Sequence, residues 1–202
     1  MKRTVESEIL DELSGDDPRA LRSRRDLRLI NFLMGNERWI LKQVKNAGSM
    51  VELGAGDGSL TRKLTEHGAV TGLDFQAKPE GLEANWKEGD LFETLAKTPG
   101  EVVVANLILH HFQDEQLRKL GELLRPRKHL VFVEPWRSCF ALAEGRLLFP
   151  LLNDVTRHDM MVSIRAGFVA GELPKLLDPE GHWDWKEEVS LLGGIRVLAS
   201  RT

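Results

Sequence analysis

Several residues of this 202-residue chain have types and spacings that can do chemistry. Adjacent histidines, His110 and His111, end an apolar run that begins at Val102 and are followed by Phe112. Imidazole titrates near neutrality, so a histidine here can accept a proton from a phenol or enol. In the plainer arrangement one histidine holds the loop while the other caps or packs. A second polar cluster reads Thr156-Arg157-His158-Asp159, with Arg165 further on. His158 with Asp159 or Asp154 can form an oriented acid–base pair, and Arg165 can bind an anionic or carbonyl oxygen. The same cluster also suits a capped amphipathic helix. Glu52 and Asp74 stand at the ends of two short apolar runs, and Asp90 follows a weaker strand-like stretch near 86–89. The first run breaks into Gly54-Ala55-Gly56-Asp57-Gly58, a turn that presents bare backbone N–H groups and a helix N-terminus.

Alternating elements must position these groups. Short strands are predicted at 49–53, 69–74, 101–107 and 129–134, with a weaker one near 86–89. Helices are predicted at 58–67, 91–97, 113–124 and 138–149. Such alternation argues for a parallel sheet with helices on both faces, whose ligands bind beyond the carboxyl ends of the strands. The stretch from Asp74 to Asp90 contains Pro79 and Gly81, so its crossover helix reduces to a turn. Trp183–Val189 and Ile195–Ala199 are strand-like and joined through Gly193-Gly194, which predicts a terminal antiparallel hairpin. Residues 1–47 are read as helical, with Asp17 capping, Pro18 first in its helix, a stop at Gly35 and Asn36 capping a third helix.

The formal charge of −3 gives no electrostatic footprint for nucleic acid. The single cysteine, Cys139, excludes an internal disulfide and a multi-cysteine zinc site, and is read as a small half-buried thiol. No stretch has the length and apolarity of a membrane span, and no secretory signal is evident, so a cytoplasmic location is expected.

The glycine turn departs from the dinucleotide fingerprint, because Ser59 stands where its third glycine belongs. Residues 48–202 instead resemble the class I S-adenosylmethionine-dependent methyltransferases of small-molecule type. The resemblance implies a Rossmann-like seven-stranded α/β sheet with the last strand antiparallel, the 1–47 segment forming a helical cover of the same domain. It implies that Gly54, Gly56 and Gly58 let the backbone approach the methionine part of the cofactor, with Glu52 near its cationic end. By the same resemblance Asp74 accepts from the ribose hydroxyls and Phe75 contacts adenine, unless Phe75 packs in the core. Asp90 accepts from the adenine amino group and the Leu91 N–H binds a ring nitrogen, although Asp90 can equally cap a helix. Asn106 belongs to the same cofactor set.

The strand ending from Asn106 to Phe112 is similar to small-molecule members. The Asn/Asp-Pro-Pro-Tyr/Phe of many nucleic-acid and protein amino-methylating branches is missing, and the chain contains no tyrosine. Asn106 has no neighbouring carboxylate like those of the metal-dependent catechol branch, so no metal is expected. On the acceptor side the resemblance implies His110, His111 or His158 as base and Trp136, Asp159 and Arg165 as substrate contacts, with Arg137 a surface charge. Phe32, Leu33, Met34 and Trp39 line the pocket or simply pack. Arg19, Arg22, Arg24, Arg25 and Arg28 form either a basic lid or a solvated face. The expected reaction is methylation of an oxygen, or in second place a carbon, of a hydroxylated aromatic, quinone-like or polyketide-like metabolite, by a monomer or homodimer. A NAD(P)-binding oxidoreductase and a non-catalytic S-adenosylmethionine-binding partner protein are the alternatives.

Overall fold

The computed structural model describes residues 1–201. Seven strands form one sheet: β1 (Ser49–Leu53), β2 (Ala69–Asp74), β3 (Asn85–Glu88), β4 (Val102–Asn106), β5 (His129–Pro135), β6 (Trp183–Val189) and β7 (Gly194–Arg201). Their spatial order is β3-β2-β1-β4-β5-β7-β6, and β7 alone runs against its neighbours. The topology is therefore the expected Rossmann-like sheet with its last strand reversed.

The order of burial explains the layering. β1, β4 and β5 are almost continuously apolar because both of their faces are covered, as parallel central strands require. Alternate residues serve opposite faces. Val51, Leu53, Val103, Ala105, Leu130 and Phe132 pack with Leu117 and Leu120 of α6 (Asp114–Leu124) and Leu173 of α9 (Glu172–Leu177). Met50, Val102, Val104, Val131 and Val133 pack with Ile40 of α3 (Asn36–Gln43) and Leu60 and Leu64 of α4 (Ser59–Leu64). At the edge, Trp183-Asp184-Trp185-Lys186 of β6 buries Trp183 and half-buries Trp185, while Asp184 is exposed. Between β2 and β3 the described chain has no helix, as its Pro79 and Gly81 lead one to expect; α5 (Leu91–Ala96) follows β3.

The N-terminal cover departs from its sequence reading in two places. The chain before α1 (Ile9–Glu12) forms no helix. It is a strap pinned by Arg3, whose guanidinium donates to Ala166 O and Phe112 O, both at 2.8 Å, and pairs with Asp114 at 2.8 Å. Next, α2 (Pro18–Met34) begins as expected, with the Asp17 carboxylate accepting from Arg19 N, and ends at Gly35 in the left-handed region. Gly35 also precedes α3 directly, so Asn36 is not a cap; it is the buried first residue of α3 and donates to Asn31 Oδ1 at 3.1 Å. Two further helices, α7 (Cys139–Leu147) and α8 (Asp154–Ala166), lie between β5 and α9.

Candidate active site

Beyond the carboxyl ends of β1 and β4 lies a cavity of about 330 Å³, roofed by α2. Glu52, Gly54, Gly56 and Asn106 form part of its wall. Gly54 has φ +62°, and a Cβ there would stand 2.6 Å from Ile108, so packing alone demands glycine. Gly56 has φ +56° but a Cβ there would meet nothing within 4 Å, which places the open space of the cleft directly against its backbone. Gly58 instead faces Leu82 and Pro79, outside the cavity wall. Asp74 braces the turn, accepting from Gly56 N at 2.7 Å and Gln76 N at 2.8 Å.

Two groups in this wall are incompletely satisfied. Burial pushes the Glu52 carboxyl up to about 8, against the opposing hydrogen bond from the Thr61 hydroxyl. No cation pairs with it among the described residues. Asn106 donates weakly to Asn31 Oδ1 at 3.3 Å, while its own Oδ1 is buried without a hydrogen-bond partner among the described residues. Asp90 caps α5, its Oδ1 accepting from Phe92 N and Glu93 N, and Leu91 is buried behind it. Phe75 is 70 % exposed, so core packing does not account for it.

The histidines sit on the neighbouring strand ends, in a different environment. Leu109–His111 form one 3₁₀ turn after β4. Glu134, wholly buried at the end of β5, accepts the backbone N–H groups of Ile108, Leu109 and His110 at 3.0, 2.8 and 3.2 Å. Its second oxygen also holds His110 Nδ1 at 2.8 Å. On the far side, His110 Nε2 lies 3.6 Å from Glu8 Oε1 of the strap, an ion-pair distance, and His111 Nε2 lies 3.9 Å from the same oxygen. Ser163 of α8 donates to Glu8. Burial works against a charge on His110, but Glu134 and Glu8 outweigh it and lift the imidazole to about 9. Burial and the charge of His110 push His111 down. The two histidines hold Glu8 below the ordinary carboxylate range although burial raises it. Glu8, His110 and His111 also offer three ligand-type atoms within 4.8 Å of one another, a set outside the reasoning from Asn106.

The other acceptor-side candidates do not join this centre directly. His158 is half exposed and holds Asp159 Oδ1 at 3.0 Å. Asp159 is buried and caps α1, accepting from Ile9 N at 2.8 Å and Leu10 N at 3.0 Å. The segment is indeed a capped helix, with Asn153 as its cap. Arg165 is exposed and makes no side-chain hydrogen bond or ion pair among the described residues. Trp136 is half-buried between the main core and α7. Arg137 is not a surface charge: it is buried and ties Gly167 O, Met1 O and Glu172 together. Cys139 is exposed rather than half-buried. Phe32 lines the cavity, Leu33 lines an adjoining groove of about 660 Å³, and Trp39 packs on the α3 core.

Glu8 and Glu134 are the site residues that sequence reasoning missed. Glu134 carried a signal, an acidic residue closing an apolar strand, the pattern that marked Asp74. Glu8 carried none, because about a hundred residues separate it from His110 and only the folded strap joins them.

No protein-family profile matches this chain, and no curated protein does. Solved structures do. The plantazolicin methyltransferase BamL, in complex with a triazolic desmethylPZN analog and SAH, superposes with a TM-score of 0.69 at 11 % identity, over 95 % of this chain and 92 % of that one. The pyocyanin biosynthetic protein PhzM gives 0.66 at 17 %, over 97 % of this chain and 62 % of that one. Human N-acetylserotonin methyltransferase with SAM gives 0.57 at 15 %, over 95 % and 61 %. The chain has the class I methyltransferase fold.

Proposed function

We propose that the protein transfers a methyl group from S-adenosylmethionine to a small-molecule acceptor, at an oxygen of a hydroxylated aromatic, quinone-like or polyketide-like metabolite, leaving S-adenosylhomocysteine. The observation that carries this reading is an adjacency at the carboxyl edge of β1, β4 and β5. A glycine-walled cleft with a buried acid that faces no cation stands beside a buried histidine clamped by two carboxylates. Structures of the same fold hold SAM or SAH, which supports the choice of cofactor.

The residues present fit that group. Glu52 and the orphaned Asn106 Oδ1 suit the ammonium of its methionyl end, and the open space at Gly56 suits a backbone approach. Asp74, Phe75, Asp90 and Leu91 stand along successive strand ends, where the ribose and adenine would follow. When bound, the cofactor supplies an activated methyl carbon, so the protein's work is to position reactants and exclude water.

Proton handling falls to His110. Glu134 fixes the ring through Nδ1 and leaves Nε2 to face the acceptor. With Glu8 in place His110 keeps its proton to about pH 9. An acceptor hydroxyl that replaces Glu8 opposite Nε2 removes one of the two carboxylates holding the imidazolium. The Nε2 proton leaves with the displaced Glu8 carboxyl or to solvent, and the neutral ring then takes the hydroxyl's proton as the methyl arrives. His111 and His158 are lesser candidates, His158 through its contact with Asp159. Carbon methylation of a similar ring uses the same base and is the second reading. No step of this scheme is routed through a metal. A NAD(P)-dependent reaction is disfavoured by Ser59 and the reversed β7, and a non-catalytic role by the buried histidine.

No helix of the described residues is long and apolar enough to cross a membrane. The proposal takes the protein as a cytoplasmic monomer or homodimer that acts on a free small molecule and not on nucleic acid. Incubation with S-adenosylmethionine and libraries of phenols, quinones and polyketides, read by mass spectrometry, tests the assignment. A gain of one methylene on a phenolic oxygen is expected. Methylation only of protein or nucleic acid would overturn it.

A further inference from the structure

The face of α2 that roofs the cleft is polar. Arg24, Leu27, Arg28 and Asn31 recur at i, i+3, i+4 and i+7, and all four line the cavity. The fold makes little use of the two arginines. Arg24 donates to Gly15 O at 2.7 Å on the exposed α1–α2 connection. Arg28 reaches Asp57 at 3.3 Å with the two side chains 58 % and 51 % exposed, a weak pairing. The other basic residues of α2 behave differently: Arg19 pairs with Asp17, and Arg22 and Arg25 are exposed and do not line this cavity.

Across the cavity stand Glu52, a buried acid without a cation, and Asn106, whose Oδ1 lacks a donor. The lining also holds Glu37 and Lys63, which pair with each other, and Asp57, which Arg28 reaches weakly. That leaves an acid and an acceptor without cation or donor at the ends of β1 and β4, and two loosely engaged guanidinium groups on α2. That polarity suits an α-amino acid zwitterion, its ammonium toward the sheet and its carboxylate toward the helix. A guanidinium fork matches a carboxylate in both charge and geometry. We infer that Arg24 and Arg28 bind the carboxylate of the methyl donor's methionyl end, which makes the N-terminal cover part of the donor site. The inference rests on the donor proposed above. It also divides the basic helix between its two sequence readings: this face grips a ligand, and the rest is solvated.

The test is isothermal titration of the full chain and of its Arg24→Ala/Arg28→Ala variant with two ligands. One is S-adenosylhomocysteine; the other is the same molecule without its carboxylate. Both positions are helical and well away from the core, and alanine favours helix, so the variant is expected to fold. Loss of charged hydrogen bonds should weaken S-adenosylhomocysteine by about tenfold or more, and binding of the carboxylate-free ligand should change by less than about twofold. Equal weakening of both ligands, or of neither, would overturn the inference. Failure of the unaltered chain to bind either ligand would overturn the donor assignment itself.

Discussion

The two halves of the carboxyl edge are built by opposite means. The half proposed for the donor, around β1 and the Gly54–Gly58 turn, is assembled largely from neighbours in sequence and left open, with the Glu52 acid facing no cation and Asn106 Oδ1 without a donor among the described residues. The half proposed for the acceptor, around β4, β5 and α8, is assembled from residues as distant as Glu8, His110, Glu134 and Ser163, and every one of these is paired. An open half with orphaned polar groups is a binding site awaiting its ligand's charges. A closed half whose polar groups are paired is a centre whose groups must exchange partners to act. The strap that supplies Glu8 is also tied down by Arg3 and Arg137, so exchange on this side involves backbone as well as side chains.

The largest break in this comparison is His110→Ala. It should reduce methyl transfer about a hundredfold or more while S-adenosylhomocysteine affinity stays nearly constant. It should also lower the melting temperature, because Glu134 loses its charged partner in a buried site, a loss of about 3–5 kcal/mol. His158→Ala, at a half-exposed position, should leave the rate within about threefold, so an equal loss in both variants would move the base to α8.

Glu8→Gln sharpens the acceptor half through pH. In the unaltered chain kcat/KM should rise with pH until His110 deprotonates, near 9. Removing the Glu8 charge should move that midpoint down by about one unit or more. The linked stability has a definite sign. His110 binds its proton more tightly when folded, so its contribution is complete below about 6.5 and lost as pH rises through about 9. A midpoint unmoved in Glu8→Gln would mean that Glu8 does not face the base.

On the donor side the expected effects are smaller. Gly56→Ala places a methyl into open cleft space at positive φ, and should weaken S-adenosylhomocysteine about tenfold at a stability cost of about 1 kcal/mol. Gly54→Ala should show the reverse emphasis, a cost of about 2 kcal/mol or more from its clash with Ile108. Glu52 should release a proton when the donor's ammonium binds. It is mostly protonated at pH 7, and titrations in buffers of different ionisation enthalpy read the release as a buffer-dependent heat.

Legibility followed chain distance. The Gly54–Gly58 turn, Asp74, Asp90 and the β6–β7 reversal could be read because each is a local pattern with a local cause. Phe75 and Asp90 each had a structural alternative; exposure removes it for Phe75, and for Asp90 the cap is real. The partners of His110 were hidden because burial pairs them across the fold, and no periodicity marks an unhelical strap such as residues 1–8. Arg137 failed for the same reason, since a charged residue after a strand looks solvated until its partners at Met1, Gly167 and Glu172 are known.

The central claim is that the cleft at Glu52, Gly56 and Asn106 is a methyl donor's site. Isothermal titration of the full chain with S-adenosylmethionine and with NAD tests it most directly. Saturable binding of S-adenosylmethionine at one site per chain, and no heat with NAD, is expected. Tight NAD binding with no S-adenosylmethionine signal would contradict it.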